Sequence, residues 1–230
     1  MKNKNILLIG GTGTLGQVVL EELYKKGFNI IFSSKSQKKI YSIKLKKRKN
    51  ILIGYKCDLT SEKNIKSLFN IAYKKLNKID CVINCSGAFY YDKLKNISYE
   101  SLISMFKINT FATIAINKCI EKNKKKLDWV KIITCGSSSA VIGSKDTVSY
   151  CGSKHALLGI IKSLNQSVYK RRIINYCLNF GTLDSKMSKQ IRNIRNQKLI
   201  SQLDVVKTIF YLIDLGSNGI PEELYLKRFN

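Results

Sequence analysis

The chain has 230 residues, 44% of them hydrophobic, enough for a substantial core and for a single α/β domain spanning 1–230. Its 41 Lys and Arg against 15 Asp and Glu leave a formal net charge of +26, with one histidine. No apolar run is long enough to cross a bilayer, and there is no internal repeat or Pro/Gly/Ser-rich linker. The sequence therefore argues against a membrane span, a tethered pair of domains and a solenoid.

In chain order, Met1 to Asn5 followed by the apolar Ile6–Ile9 starts like a signal peptide, but the apolar stretch is too short and glycines follow it. Ile6–Ile9 instead suits a strand buried on both faces. It leads into Gly10-Gly11-Thr12-Gly13-Thr14-Leu15-Gly16 and then a helical stretch, Gln17 to Lys26. Strand, glycine turn and helix together form a phosphate cradle. Glycine lets the backbone approach a ligand, and the helix start offers free N–H groups and a positive dipole end to a pyrophosphate. Further on, the pattern predicts a strand over Asn29–Ser33, a basic helix over Gln37–Lys47, a strand over Ile51–Cys57 and a helix over Glu62–Leu76. A strand over Ile79–Cys85, a long helix from about Tyr99 to Lys122 and a strand over Trp129–Cys135 follow. The last elements are a helix containing Tyr150, a strand over Ile173–Leu178, a helix over Asp204–Asp214 and a short strand over Glu223–Leu226. This β–α alternation predicts a doubly wound parallel sheet of about seven strands with helices on both faces. In such sheets ligands bind beyond the carboxyl ends of the strands, where the strand order switches.

Seven cysteines, an odd number, fall mostly within strand-like runs with no C-x-x-C pair. They read as reduced core thiols of a cytoplasmic protein, and no metal site is expected. The lysines are spread over several elements without interleaved aromatics, so the sequence shows no dedicated nucleic-acid motif. The charge fits either solvated helix faces or an anionic partner, such as a phosphorylated cofactor or a carrier-linked substrate.

Chemistry concentrates in Ser149-Tyr150-Cys151-Gly152-Ser153-Lys154, whose Tyr150 falls thirteen residues after Ser137. On a helix, Tyr150 and Lys154 lie one above the other on the same face. A phenol is a proton donor, and a neighbouring cation makes release of its proton easier. His155 falls on a different face and reads as a packing or surface residue.

The ordered set of the glycine turn, Asp58, Asn84-Cys85-Ser86-Gly87, Asn109, Ser137, Tyr150, Lys154, Gly181, Ser185 and Met187 resembles the short-chain dehydrogenase/reductase family over nearly the whole chain. The resemblance implies a Rossmann-like fold and an NAD(P)-dependent oxidoreductase that interconverts a ketone and a secondary alcohol by hydride transfer. It implies that Tyr150 exchanges a proton with the substrate oxygen and that Lys154 holds the nicotinamide ribose and assists Tyr150. Ser137 would orient the substrate oxygen, and Asn109 would hold a water for proton relay. Gly10, Thr12, Gly13, Thr14, Leu15 and Gly16 would hold the pyrophosphate, Asp58 and Leu59 the adenine, and Asn84 and Gly87 the adenosine ribose. Gly181 and Thr182 would lie along the nicotinamide.

The end of the second strand decides the dinucleotide. An NAD enzyme needs a carboxylate there for the ribose 2′-hydroxyl. Ser33-Ser34-Lys35-Ser36 supplies hydroxyls and a cation instead, so Ser34 and Lys35 favour NADP over NAD. Two departures from the family pattern stand out. Phe180 replaces the proline that usually precedes the glycine after strand six, and the C-terminus lacks the glycine-rich tail of many relatives. A small substrate lid is expected around 182–201, where Lys186, Lys189, Arg192, Arg195 and Lys198 read either as a clamp on phosphate or carboxylate groups or as a solvated helix face. A 3-oxoacyl thioester on an acidic carrier and a sugar or polysaccharide-pathway intermediate are both candidate substrates. From another class, a non-catalytic NAD(P)-binding sensor has the same fold but no use for an assisted phenol. The stripe Leu157, Ile161, Leu164 and Val168 reads either as core or as a helix pairing across a two-fold axis, and the family implies a homodimer or homotetramer.

Overall fold

The computed structural model describes residues 4–125, 128–184, 199–217 and 219–228. Seven strands are found: β1 (Asn5–Ile9), β2 (Asn29–Ser34), β3 (Leu52–Lys56), β4 (Cys81–Asn84), β5 (Val130–Cys135), β6 (Ile173–Phe180) and β7 (Glu223–Leu226). They form one sheet in the order β3-β2-β1-β4-β5-β6-β7, parallel at every pairing. The helices are α1 (Thr14–Lys25), α2 (Gln37–Tyr41), α3 (Glu62–Leu76), α4 (Tyr99–Phe106), α5 (Ala112–Asn123), α6 (Val148–Val168) and α7 (Gln202–Asp214).

Alternation along each strand divides the core in two. Ile6 and Leu8 of β1, Ile30 and Phe32 of β2, and Ile174, Tyr176 and Leu178 of β6 face α1 and α7. The residues between them, Leu7, Ile9 and Ile31, face Ile65, Leu68 and Phe69 of α3 and Ile116 and Ile120 of α5. Both faces are covered, which explains why these strands are nearly all apolar.

Two expected helices come out differently. The basic helix expected over Gln37–Lys47 stops at Tyr41. Past Ile40, the apolar residues Ile43 and Leu45 are two apart, and both pack on the core from irregular chain rather than as a helical face. The neighbouring run of like charges also disfavours continuing the helix. The long helix expected from Tyr99 to Lys122 is continuous but contains a π-helical turn over Lys107–Phe111, centred on Asn109. Three residues of the α6 stripe are core: Leu157 and Ile161 are fully buried within the chain, against Ala140 and Cys177, and Val168 is buried, while Leu164 is part-exposed.

All seven cysteines are free. Burial pushes the thiols of Cys57, Cys81 and Cys177 up to about 12. Ellman's reagent at neutral pH should therefore leave these three unlabelled in the folded protein and label them on unfolding. Rapid labelling of any of these three in the native protein would contradict their burial. Among the described residues, no helix is long and apolar enough to cross a membrane, and no group of three or more His, Cys, Asp or Glu could hold a metal.

Candidate active site

The strand order reverses between β1 and β4, and the carboxyl ends of β1, β2, β4, β5 and β6 open on one edge of the sheet. Two cavities lie there. The first, of 310 Å³, is lined by Gly10, Thr12 and Gly13 after β1, by Ser33 and Ser34 at the end of β2 with Lys35 and Lys39 after it, and by Asp58, Leu59 and Gly87. The second, of 290 Å³, is lined by Phe89, Tyr91, Ser137, Tyr150, Phe180, Gly181, Thr182 and Leu183, among others.

The first cavity has the features of a dinucleotide cradle. The Gly13 N–H donates to the Gly10 carbonyl at 3.0 Å, folding the turn back on itself. Thr14 opens α1, and Leu15 and Gly16 are buried in its first turn. A Cβ on Gly16 would overlap the Gly10 carbonyl oxygen, so this position admits only glycine without movement of the turn. Across the cavity, the Thr12 and Ser34 hydroxyls share a 2.6 Å hydrogen bond, and the Ser36 N–H donates to Ser34 Oγ at 3.2 Å. Lys35, 75% exposed along its side chain, pairs with Asp58 at 3.0 Å. Burial pushes the Asp58 carboxyl up. Hydrogen bonds from the Thr60 N–H and hydroxyl, together with the Lys35 ammonium, outweigh this and hold it below its ordinary value. A depressed carboxyl stabilises the fold above its unfolded pKa, and that contribution fades as pH falls through the folded value. Asn84 is not among the residues lining the cavity. Its Oδ1 accepts from the Ser86 N–H at 3.1 Å and from the Ser86 hydroxyl at 2.5 Å, shaping the loop that brings Gly87 to the cavity.

The second cavity is built around α6. The buried Asp92 carboxylate accepts the Ser149 N–H at 2.9 Å and so caps the start of this helix. Tyr150, in the first turn, packs its ring edge-on against Phe89, with centroids 4.9 Å apart. Lys154 is buried, with its ammonium 5.8 Å from the Tyr150 ring centre and donating to the Cys135 carbonyl at 3.2 Å. It also points at Gly87, where an added Cβ would lie 3.9 Å from its Nζ. Lys154 thus stands between the two cavities.

Asn109 explains the π turn. Its amide bridges the Ala88 backbone, accepting from the N–H at 2.8 Å and donating to the carbonyl at 3.0 Å. The same Nδ2 donates to Ser153 Oγ at 3.0 Å. Winding to five residues per hydrogen-bonded turn lets one side chain leave the helix face, and such turns concentrate at functional sites. Ser137 sits at the end of β5 with its Oγ accepting from the Ser139 N–H at 3.1 Å.

The structure thus gathers Ser137, Tyr150, Gly181 and Thr182 around one cavity and Gly10, Thr12, Gly13, Ser34, Lys35, Asp58, Leu59 and Gly87 around the other. Sequence reasoning missed Phe89, Asp92 and Lys39. The aromatic run Phe89-Tyr90-Tyr91 in the loop after β4 was the available signal for Phe89. Nothing local marked Asp92 as the cap of a helix more than fifty residues away. His155 is exposed, with Nδ1 2.9 Å from the Cys151 carbonyl oxygen. Most of the expected lid, residues 185–198, lies outside the described residues, including Lys186, Lys189, Arg192, Arg195 and Lys198 as well as Ser185 and Met187.

An all-parallel doubly wound sheet, with a glycine turn at its switch point and a Tyr-Lys pair one helical turn apart beside it, defines a dinucleotide-fold oxidoreductase. The sequence matches the short chain dehydrogenase family over residues 4–196, and the chain belongs to that family. It is 24% identical over 225 residues to the 3-oxoacyl-(acyl-carrier-protein) reductase FabG of Rickettsia typhi, covering 96% of this chain and 86% of that one. It is 27% identical over 231 residues to the protein of the same name from Buchnera aphidicola subsp. Baizongia pistaciae, covering 96% and 94%. The fold superposes on a short-chain dehydrogenase/reductase from Serratia marcescens with a TM-score of 0.87 at 16% identity, over 99% of this chain and 96% of that one. It also superposes on the protein ElxO with NADP bound, with a TM-score of 0.84 at 22% identity over 99% and 97%.

Proposed function

We propose that this protein is an NADP-dependent reductase of 3-oxoacyl thioesters, interconverting a ketone and a secondary alcohol, with Tyr150, Ser137, Lys154 and Asn109 in the roles the family resemblance implies. The observation that carries this reading is that Tyr150 and Ser137 line one cavity whose other described walls are apolar, aromatic and hydroxylic. No Asp, Glu, Lys, Arg or His lines it among the described residues. A neutral acyl end fits such walls. The charge of +26 supports an acidic carrier for the rest of the substrate. The relatives named as 3-oxoacyl reductases support the same substrate class.

The glycine turn fits a dinucleotide pyrophosphate, since only glycine at position 16 leaves the Gly10 carbonyl room. When bound, the dinucleotide supplies or takes up the hydride. The chain does the rest. Ser137 Oγ donates to the substrate carbonyl oxygen and fixes its direction. Tyr150 transfers its hydroxyl proton to that oxygen as negative charge develops there. Lys154, one helical turn below, favours that transfer and is placed to reach ribose hydroxyls near Gly87. Asn109, whose amide joins the π turn to the loop after β4 and to α6, would hold the water of a proton relay.

NADP preference is supported by Ser34, Lys35 and Lys39 on the cavity wall. A 2′-phosphate would draw Lys35 from its exposed pair with Asp58, which is worth little by itself. Lys35→Ala is expected to lower kcat/KM for NADPH by about five- to ten-fold and leave that for NADH unchanged. An equal loss with both cofactors would refute the assignment. The reading as a whole is tested by NADPH oxidation in the presence of acetoacetyl-CoA. Turnover is expected; binding of NADPH without turnover of this or any other ketone would point to the sensor instead.

The homodimer or homotetramer would pair through a face other than the buried α6 stripe. The part-exposed Ile103, Phe111 and Ile114 along α4 and α5 are available for it. Light scattering after size-exclusion chromatography checks this, and a strict monomer would remove it.

A further inference from the structure

The pairing of β5 with β6 runs in register to Cys135 opposite Leu178, and the Gly136 N–H still reaches the Leu178 carbonyl at 2.8 Å. One residue later the backbone partner gives way to a side chain. The Ser137 N–H donates to Asn179 Oδ1 at 3.0 Å. Asn179 is 0% exposed, and each end of its amide is used. Oδ1 also lies 3.4 Å from the Cys177 thiol, and Nδ2 donates to Glu223 Oε1 of β7 at 2.9 Å. The other Glu223 oxygen pairs with Lys162 of α6 at 3.3 Å. Space for this arrangement is reserved at Gly136, where a Cβ would overlap Asn179 Oδ1.

We infer that Asn179, oriented by Glu223, is a positioning residue that sets the backbone of Ser137 and through it the direction of the Ser137 hydroxyl. This rests on the role of Ser137 proposed above. The Ser137 N–H is anchored by Asn179 while Ser137 Oγ is engaged by the Ser139 N–H, so both ends of the residue are fixed. An asparagine is required rather than a carboxylate, because its oxygen must accept from Ser137 while its nitrogen donates to Glu223. A carboxylate beside Glu223 would set two like charges together in a buried place.

The test compares wild type, S137A, N179A, N179D, the N179D/E223Q pair and the S137A/N179A pair. Rates are measured with acetoacetyl-CoA and NADPH, alongside NADPH affinity and Tm. Asn179→Ala is expected to lower kcat by about ten-fold and to leave NADPH affinity within about two-fold, since the group acts on orientation rather than cofactor binding. Asn179→Asp should fall at least as far. Adding Glu223→Gln, whose amide can donate where Glu223 accepted, should restore the rate to within about three-fold of wild type. In the S137A background, Asn179→Ala should cost nothing further, because it works through the missing hydroxyl. Independently of any substrate, exchange of the Ser137 amide hydrogen should quicken in N179A and be protected again in the N179D/E223Q pair. A folded N179A with unchanged kcat or unchanged Ser137 exchange would overturn the inference, as would full additivity with S137A or failure of the double exchange to recover. A wild-type rate in S137A would sink the assignment of Ser137 itself. Loss in S137A with none in N179A would sink only the inference.

Discussion

Tyr150→Phe is expected to lower kcat with acetoacetyl-CoA and NADPH by about a thousand-fold, within the range usual for removing a positioned general acid. The substitution deletes one hydroxyl and leaves the ring, so the edge-on contact with Phe89 at 4.9 Å persists. Lys154 keeps its bond to the Cys135 carbonyl, and the cap of α6 by Asp92 involves Ser149, not Tyr150. Stability and NADPH affinity should therefore stay close to wild type while the rate collapses. That separation is the informative part, because a loss caused by local unfolding would lower Tm and cofactor affinity as well. Steady-state rates, NADPH binding and thermal unfolding on the same preparation make the comparison. Turnover within about ten-fold of wild type would mean that another group delivers the proton and that the proposed role of Tyr150 is wrong.

Gly16→Ala should produce the largest structural effect of a single methyl group in the glycine turn. The new Cβ would overlap the Gly10 carbonyl oxygen and come within 2.9 Å of the Gly10 carbonyl carbon and 3.1 Å of Gly11 Cα. All three are backbone atoms, so no side chain can rotate away and relieve the clash. Either the turn opens or α1 moves off the sheet, and α1 carries Val19, Leu20 and Leu23 of the core. Overpacking of this kind costs about 1–3 kcal/mol, which in a chain of this size lowers Tm by roughly 2–10 °C. NADPH affinity should fall more than ten-fold, because the displaced groups are those proposed to face the pyrophosphate. An alanine variant with wild-type Tm and NADPH affinity would show that the turn does not pack as described.

The sequence carried much of this. The periods that distinguish strands buried on both faces from amphipathic helices are local. Ile6–Ile9, the glycine turn and the helix Glu62–Leu76 could therefore be placed by residue number, and with them the α/β class. The Tyr150–Lys154 spacing is also local, since one helix presents both groups to the same side. What resisted was anything settled by competition between a segment and its surroundings. The basic stretch after Ile40 has helix-forming residues, yet it stays irregular, with Ile43 and Leu45 packed on the core. The segment through Asn109 has a helical pattern. The pull of the Ala88 backbone on the Asn109 amide, 21 residues away in the chain, adds the π turn.

The amino-acid order alone determined the fold class, the glycine turn and the placing of Tyr150 and Lys154 on one helix face, because each is written in neighbours within a few residues of one another. Only the tertiary structure decided that Asp92 caps the helix of Tyr150, that Lys154 stands between two cavities, and that Asn179 holds Ser137 from another strand. Those contacts join positions between 19 and 67 residues apart in the chain. No local pattern specifies which of many buried polar groups will meet. The parallel sheet does so, by bringing the ends of distant strands to a single edge.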